Sequence, residues 1–468
     1  MTPLAQRIAR LCVDFGYDQI PPDVLVEVRR RVLDTVGCIV AGAGARPVDK
    51  VWDGTACLGD SEQATVVGRR ARASVVRAIT MNCSALRYLD FMDGHPGPYP
   101  AHVSFNAVPA LAAAEAGGAS GRDLVTSIVL GYEFGIRLQL GVGAPSIQTN
   151  GWSGSLHLGT TTAIVIGKLL RLSVPELTSA IGTATMHAPT LDIAARGQMP
   201  ENKVCVDGLV AGSAAIATYL VQAGISGPAR VFEGAGGVAE AFAGRVDADL
   251  LAAPLDRFRI LDVYTKRYNG VKCAQTAVDA ALRAVERIAG GWRDLDSIEI
   301  AFATTDVTDQ SRDVADRRRP STRDTANHSA VFSVAAALRD GDLTPAQFDD
   351  AHLRDPEILG LVDRIVIIAE TAFDPLLPAS NPARVRLTTR LGAVSEATVQ
   401  DFPGHPNNPL TDDQLRAKFR SLCADKLPID QVELLIDMID RLEALDDLAP
   451  LLALTQPVLT ANSADPSL

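Results

Sequence analysis

The chain has 468 residues, 47% of them apolar and 21% charged. That is a globular composition with material for a large core, so disordered, collagen-like and low-complexity classes are excluded. A net charge of −12 argues against nucleic acid or an anionic membrane as the main partner, since both are bound by basic faces; a local basic pocket stays compatible with it.

No run long enough for a membrane span and no signal-peptide core is legible, and a cytoplasmic protein is expected. The seven cysteines are scattered without a CxxC pair. Reduced, mostly buried thiols are expected rather than an iron–sulfur or structural zinc site.

In chain order, the first half reads helical. Ala107–Ala116, Ala163–Leu170 and Leu209–Val221 carry small and apolar residues, and aromatics are only 5% of the chain, which predicts close helix packing through alanine. Ser120 with Asp123 and Ser173 with Glu176 are start signals. Gly117-Gly118 and Gly224 ahead of Gly227-Pro228 are stops. Near residue 260 the texture changes. Ser297–Phe302 alternates as a strand does, and Arg364–Glu370 is a short buried run. Arg384–Arg390 and Ser395–Gln400 read as a hairpin, with helices over Gln275–Ala289 and His328–Arg339. The predicted organisation is mainly α. It consists of an all-helical domain over 1–261, an inserted α+β domain over 262–402, a helical return over 403–455 and a polar tail over 456–468.

Familiar catalytic templates are missing. There is no GxGxxG, Walker loop or HExxH, and Gly234-Ala-Gly-Gly237 lacks a strand–turn–helix setting. Gly151-Trp-Ser-Gly154 is no nucleophile elbow, because Ser155 stands where the motif needs glycine. What remains is a set of ionisable groups among small residues. Asp90-Phe-Met-Asp93-Gly-His95-Pro-Gly-Pro-Tyr99-Pro-Ala-His102 packs two carboxylates, two imidazoles and a phenol into thirteen residues. Its prolines and glycines make it a loop, and a rigid loop with groups titrating near neutrality suits proton transfer. Helix caps with a solvated histidine, or a metal held by Asp90, Asp93, His95 and His102, are the other readings of that segment. His157 sits where a helix begins, a place that favours a neutral imidazole and anionic ligands, or simply packs. Lys203, and Lys266 in Lys266-Arg267-Tyr268, are candidate carboxylate clamps or surface cations. Asp324 and His328 open a further helix, where capping explains them equally well.

At these residues the sequence resembles the MmgE/PrpD family of 2-methylcitrate dehydratases, cis-aconitate decarboxylases and iminodisuccinate epimerases. The resemblance runs from about residue 5 to 440. It is carried by Val108–Glu115, Gly118–Gly121 leading to Val129–Glu133, His157–Thr160, Gly224–Pro228 with Phe232–Gly234, Arg323–His328 and Pro403–Pro409, in that order and spacing. It implies a helical domain built from both chain ends, an inserted α+β lid, a site between them, and a homodimer without cofactor or metal. The implied activity is a lyase that removes a proton alpha to a carboxylate of a small di- or tricarboxylate and then dehydrates or decarboxylates it. An epimerase of an amino- or imino-dicarboxylate, and a scaffold that kept the fold without the chemistry, are the alternatives. The implied catalytic residues are Asp93, orienting an imidazole, His102 and His157. Lys203 and Lys266 are the implied carboxylate clamps, with Tyr99, Lys272 and Gln275 as further substrate contacts. Two differences stand out: Val103 follows His102 where the family usually has proline, and Val271 and Gln275 occupy positions where it usually places a lid histidine.

Overall fold

The computed structural model describes residues 2–59, 61–97, 101–143, 147, 151–243 and 245–458. Its small-residue stretches become closely spaced helices: α1 (Leu4–Asp14), α2 (Pro22–Gly42), α3 (Arg46–Gly54), α4 (Val75–Tyr88), α5 (Ala107–Gly117), α6 (Gly121–Gly141), α7 (Leu156–Leu169), α8 (Val174–Met186) and α9 (Val206–Gln222). The Ser120–Asp123 and Ser173–Glu176 capping boxes both form. Gly118 ends α5 in the left-handed region, where a side chain would be strained. A Cβ on Gly208 of α9 would stand 2.5 Å from the Thr80 carbonyl oxygen of α4, and one on Gly159 of α7 would stand 2.3 Å from the Ala188 methyl just beyond α8. These helices therefore pack nearly backbone to backbone.

Two hydrophobic cores form. One joins residues from Leu4 to Val263 with residues from Leu415 to Leu452, and so uses both chain ends. The other lies wholly between Tyr268 and Val399. In the second, α10 (Lys272–Val285) and α12 (Ala330–Asp340) pack together, and α10 also covers β5 and β6 of a four-stranded sheet; α11 (Thr304–Gln310) lies beside β4, and α13 (Pro356–Asp363) packs on α12. The strands are β3 (Leu295–Phe302), β4 (Ile365–Ala369), β5 (Ala383–Thr389) and β6 (Val394–Val399), in the order β4-β3-β5-β6. β4 runs parallel to β3 (Ile298 opposite Ile365), β5 antiparallel to it (Ile300 opposite Val385), and β5–β6 is the hairpin. The chain returns through α14 (Asp412–Cys423), which packs on α2, and α15 (Ile429–Asp440).

The larger body is not purely helical. Strands β1 (Ala64–Val66) and β2 (Ala71–Ala73) pair antiparallel, and Glu115 of α5 accepts from the Thr65 backbone N–H (2.6 Å) and hydroxyl (2.7 Å). Three residues per strand leave too short a run for a period-two pattern. Residues Glu201–Gln222 are long and apolar enough to span a membrane, although no such run was expected; 61% of the most apolar window is buried within the protein. All seven cysteines are free and five are buried; Cys57 is exposed and Cys205 half-buried.

The segment that leaves the first core for the second is clamped from several sides. Arg31 of α2 donates to the Val263 carbonyl (2.8 Å) and the Thr265 hydroxyl (2.7 Å). The Thr265 N–H donates to the Gly404 carbonyl (2.8 Å). Lys418 of α14 pairs with Asp34 of α2 (2.7 Å) and donates to the carbonyls of Phe91 (3.0 Å) and Lys266 (2.9 Å). Lys266 is thus fixed by the helical body at the mouth of the second core.

Candidate active site

A cavity of about 630 Å³ lies between the two cores. Its walls carry seven Lys or Arg side chains against five Asp, together with three imidazoles, in a chain whose net charge is −12. The acidic protein has concentrated positive charge where a polycarboxylate would sit.

Asp90 is the hub. It follows the end of α4 with φ of +50° and is 1% exposed. Arg87, one turn earlier, donates to its Oδ1 at 3.0 Å. Lys266 stands 3.3 Å from its Oδ2 and donates to its carbonyl at 2.6 Å. The Nε2 atoms of His102 and His328 each lie 3.7 Å from the carboxylate. Burial alone would lift this carboxyl; Lys266 and Arg87, helped by His328 and His102, outweigh burial and hold it well below the ordinary range. The sequence marks Asp90 only as one of two carboxylates of the 90–102 loop, or as a metal ligand, and does not show that Arg87 and Lys266 converge on it.

Both imidazoles beside Asp90 have their tautomer set by the backbone. His102 Nδ1 donates to the Asp93 carbonyl at 3.1 Å, and His328 Nδ1 donates to the Asp324 carbonyl at 2.8 Å. In the neutral ring each Nε2 therefore keeps its lone pair. Burial pushes His102 down to about 3, outweighing Asp90, and pushes His157 down to about 3. His157 is the second residue of α7 and lines the same cavity. Burial favours its neutral form. His328, which the sequence could not separate from a cap, also lines the cavity, with burial first and Lys203 second holding its pKa well below normal.

Lys203 sits in the turn Glu201–Cys205 that leads into α9 and is 6% exposed. Its Nζ meets His328 Nε2 at 2.9 Å and the Met199 sulfur at 3.1 Å. Asp207, in the first turn of α9, accepts from the Ser155 hydroxyl at 2.6 Å and adds a carboxyl that burial raises. Lys272, the first residue of α10, faces the cavity, where Asp306 of α11 also lines it.

Two expected roles require correction. Asp93 does not orient an imidazole through its carboxylate, which accepts from the Tyr132 hydroxyl (2.7 Å) and the Ser104 N–H (3.0 Å); only its backbone carbonyl touches His102. Gln275 is no substrate contact. It is fully buried, accepts from the Tyr268 N–H (3.0 Å) and donates to the carbonyls of Tyr268 (2.7 Å) and Gly270 (3.1 Å), bracketing the turn before α10. Val271 does line the cavity. His95 is occupied by Gln139, 2.6 Å from its Nδ1. Tyr99 lies outside the described residues. Among the described residues no three His, Cys, Asp or Glu side chains are grouped to hold a metal ion.

Family models of the MmgE/PrpD N-terminal domain and the MmgE/PrpD C-terminal domain match residues 6–251 and 268–444. The chain is similar to the cis-aconitate decarboxylase of Aspergillus terreus (strain NIH 2624 / FGSC A1156), 25% identical over 94% of this chain and 93% of the relative. It is also similar to the cis-aconitate decarboxylases of Mus musculus, 26% identical over 90% and 86%, and Homo sapiens, 25% identical over 94% and 92%.

Proposed function

The chain belongs to the MmgE/PrpD family, and on that premise we propose that it decarboxylates an unsaturated tricarboxylate of the cis-aconitate type. It is a lyase of small di- or tricarboxylates, of the decarboxylase and dehydratase kind. The observation that carries the finer reading is the pairing, in one cavity between the cores, of fixed cations with imidazoles that burial keeps neutral.

Lys266, held against Asp90, and Lys272 serve as anchors for substrate carboxylates, with Arg87 behind them. A carboxylate exchanged from water into this pocket keeps charge-assisted hydrogen bonds, so the desolvation cost is offset. Negative charge that develops on an enolate-like intermediate falls beside the same cations, which need no reorganisation to meet it. Decarboxylation takes up one proton and removes none; the dehydration course does need a base, and a neutral imidazole with its Nε2 lone pair, such as that of His102, is the form that accepts a proton from carbon alpha to a carboxylate. His157 brings a second neutral imidazole from another wall.

Proton NMR in D₂O with cis-aconitate, citrate and 2-methylcitrate tests the reading. Loss of carbon dioxide with deuterium appearing on the product carbon is expected from cis-aconitate. Loss of water alone would replace decarboxylation by dehydration, and exchange with inversion but no mass loss would indicate epimerisation.

We also infer a homodimer. The reading is supported by an unpartnered apolar stripe on α9, where Leu209, Ile216 and Leu220 are 56%, 45% and 46% exposed.

A further inference from the structure

We propose that Lys203, and not an imidazole, is the proton donor of the reaction, with His328 as its positioning residue. The proposal rests on the lyase reading for its substrate and on the cavity for its geometry. Either lyase course needs an acid. In decarboxylation the C–CO₂ bond breaks, its electron pair stays on the substrate carbon framework, and a proton must form the new C–H bond. In elimination the departing hydroxyl takes a proton and leaves as water. His102 and His157 are unprotonated at neutral pH, so neither holds that proton.

The two deeply buried cavity lysines have opposite surroundings. Lys266 stands 3.3 Å from the Asp90 carboxylate, which opposes the lowering that burial imposes on it. Lys203 has no carboxylate within ion-pair distance among the described residues. Its nearest partners are a thioether and the Nε2 of an imidazole, both neutral acceptors. The Nδ1 donation to Asp324 leaves His328 Nε2 able only to accept, so it orients one Nζ–H; the Met199 sulfur takes a second, and one proton of the ammonium group is left to the cavity. The charges that face Lys203 are Arg87 in α4, Asp90 just beyond it, Asp324 before His328, Asp207 in α9 and Asp192 in the turn Asp192–Ala195. Burial first and Arg87 second outweigh these carboxylates and bring Lys203 down to about 7, where it gives up and regains a proton at working pH. After transfer the neutral amine recovers its proton from water.

The decisive measurement is made on the free protein. Lysine labelled with ¹⁵N at Nζ reports each ammonium by NMR, and the Lys203 signal is assigned by its loss in Lys203→Arg or, should that variant not fold, by its displacement in His328→Phe. Titration near neutrality is expected; a signal still protonated at pH of about 10 would overturn the proposal. Lys203→Arg keeps the charge and loses the titration, so kcat falls by about 10²–10³ while KM changes by no more than about threefold. An arginine variant with kcat within about threefold of the parent would make Lys203 a clamp. His328→Phe removes an acceptor of the ammonium, so the alkaline limb of kcat/KM moves acidward by about one unit. A purely structural histidine would lower the rate at every pH without moving the limb. Absence of turnover by the parent protein on every tricarboxylate overturns the lyase reading, while the NMR titration decides Lys203 independently.

Discussion

His102 and His157 lie on different walls of the cavity and share one property: burial makes their cationic forms costly. The folded-state pKa is about 3 for each, against 6.5 for an ordinary histidine. Between those values the unfolded chain binds protons that the native protein refuses, so stability is present above pH 6.5 and is lost as pH falls toward 3. Each site adds a slope of at most about 1.4 kcal/mol per pH unit. The buried carboxylate of Asp90, held below its ordinary range, acts in the same direction. Thermal melts between pH 7 and 4 should show a steep fall in Tm that is reduced in His157→Asn; equal slopes in parent and variant would remove that histidine from the effect. The same substitution should lower turnover by about 10²–10⁴ if His157 exchanges the substrate proton, and a rate equal to the parent's would exclude it. His102, His157, Lys203 and Lys266 were all legible as candidates, because ionisable residues among alanines and glycines are conspicuous. Asp90 as hub was not, since what distinguishes it from Asp93 is a left-handed backbone turn that aims one carboxylate inward and leaves the other to Tyr132. Nor was the task of Gln275. Gln275→Ala should destabilise the protein by about 1–3 kcal/mol by leaving buried backbone groups of the 268–270 turn unpaired. The affinity for substrate in the surviving fold should be unchanged, and a selective rise in KM with a parental Tm would restore it as a substrate contact.

Helix packing follows from glycine placement more than from hydrophobic pattern. The stretches rich in alanine show little amphipathic periodicity because helices such as α5 are buried on nearly all sides, so a 3.6-residue stripe never develops. Their capping boxes and glycine stops carried the boundaries instead. In the second core, alternation in β5 was readable because one face packs inward, whereas β3 alternates only over Ile298–Ile300 and buries both Ala301 and Phe302 beyond it. The parallel pairing of β4 with β3 depends on the helices between them and leaves no mark in either strand. The α4–α9 contact offers a graded test. A methyl on Gly208 meets the Thr80 carbonyl oxygen at 2.5 Å, and the backbone has nowhere to move; one on Gly212 meets the Thr80 hydroxyl at 2.6 Å, which a side-chain rotation relieves. Gly208→Ala should therefore cost about 1–3 kcal/mol in denaturant unfolding, despite the better helix propensity of alanine, and Gly212→Ala distinctly less. The reverse order would mean that α9 shifts along α4 as a rigid body.

At the scale of the whole molecule, α9 has two tasks. Its inward face packs on α4, α7 and α8, and its first turn and the turn before it carry Asp207 and Lys203 to the cavity. The outward face presents Leu209, Ser213, Ile216 and Leu220, spaced by four, three and four residues, which is the repeat of a packed helical seam. The stripe runs about 16 Å along the helix. A partner helix of the same kind laid antiparallel across a two-fold axis would bury both stripes at once, as an isologous contact requires. An acidic chain repels its copy at long range, so the seam must be apolar, and none of the four seam residues is charged. Light scattering at micromolar concentration should give twice the 49.5 kDa of one chain. Ile216→Glu places two carboxylates in the seam of the dimer but leaves the monomer's core untouched, because the side chain is already 45% exposed. It should halve the mass without changing the circular dichroism spectrum. A dimeric Ile216→Glu protein would move the interface to another face, and a monomeric parent would mean that the stripe does not hold two copies together.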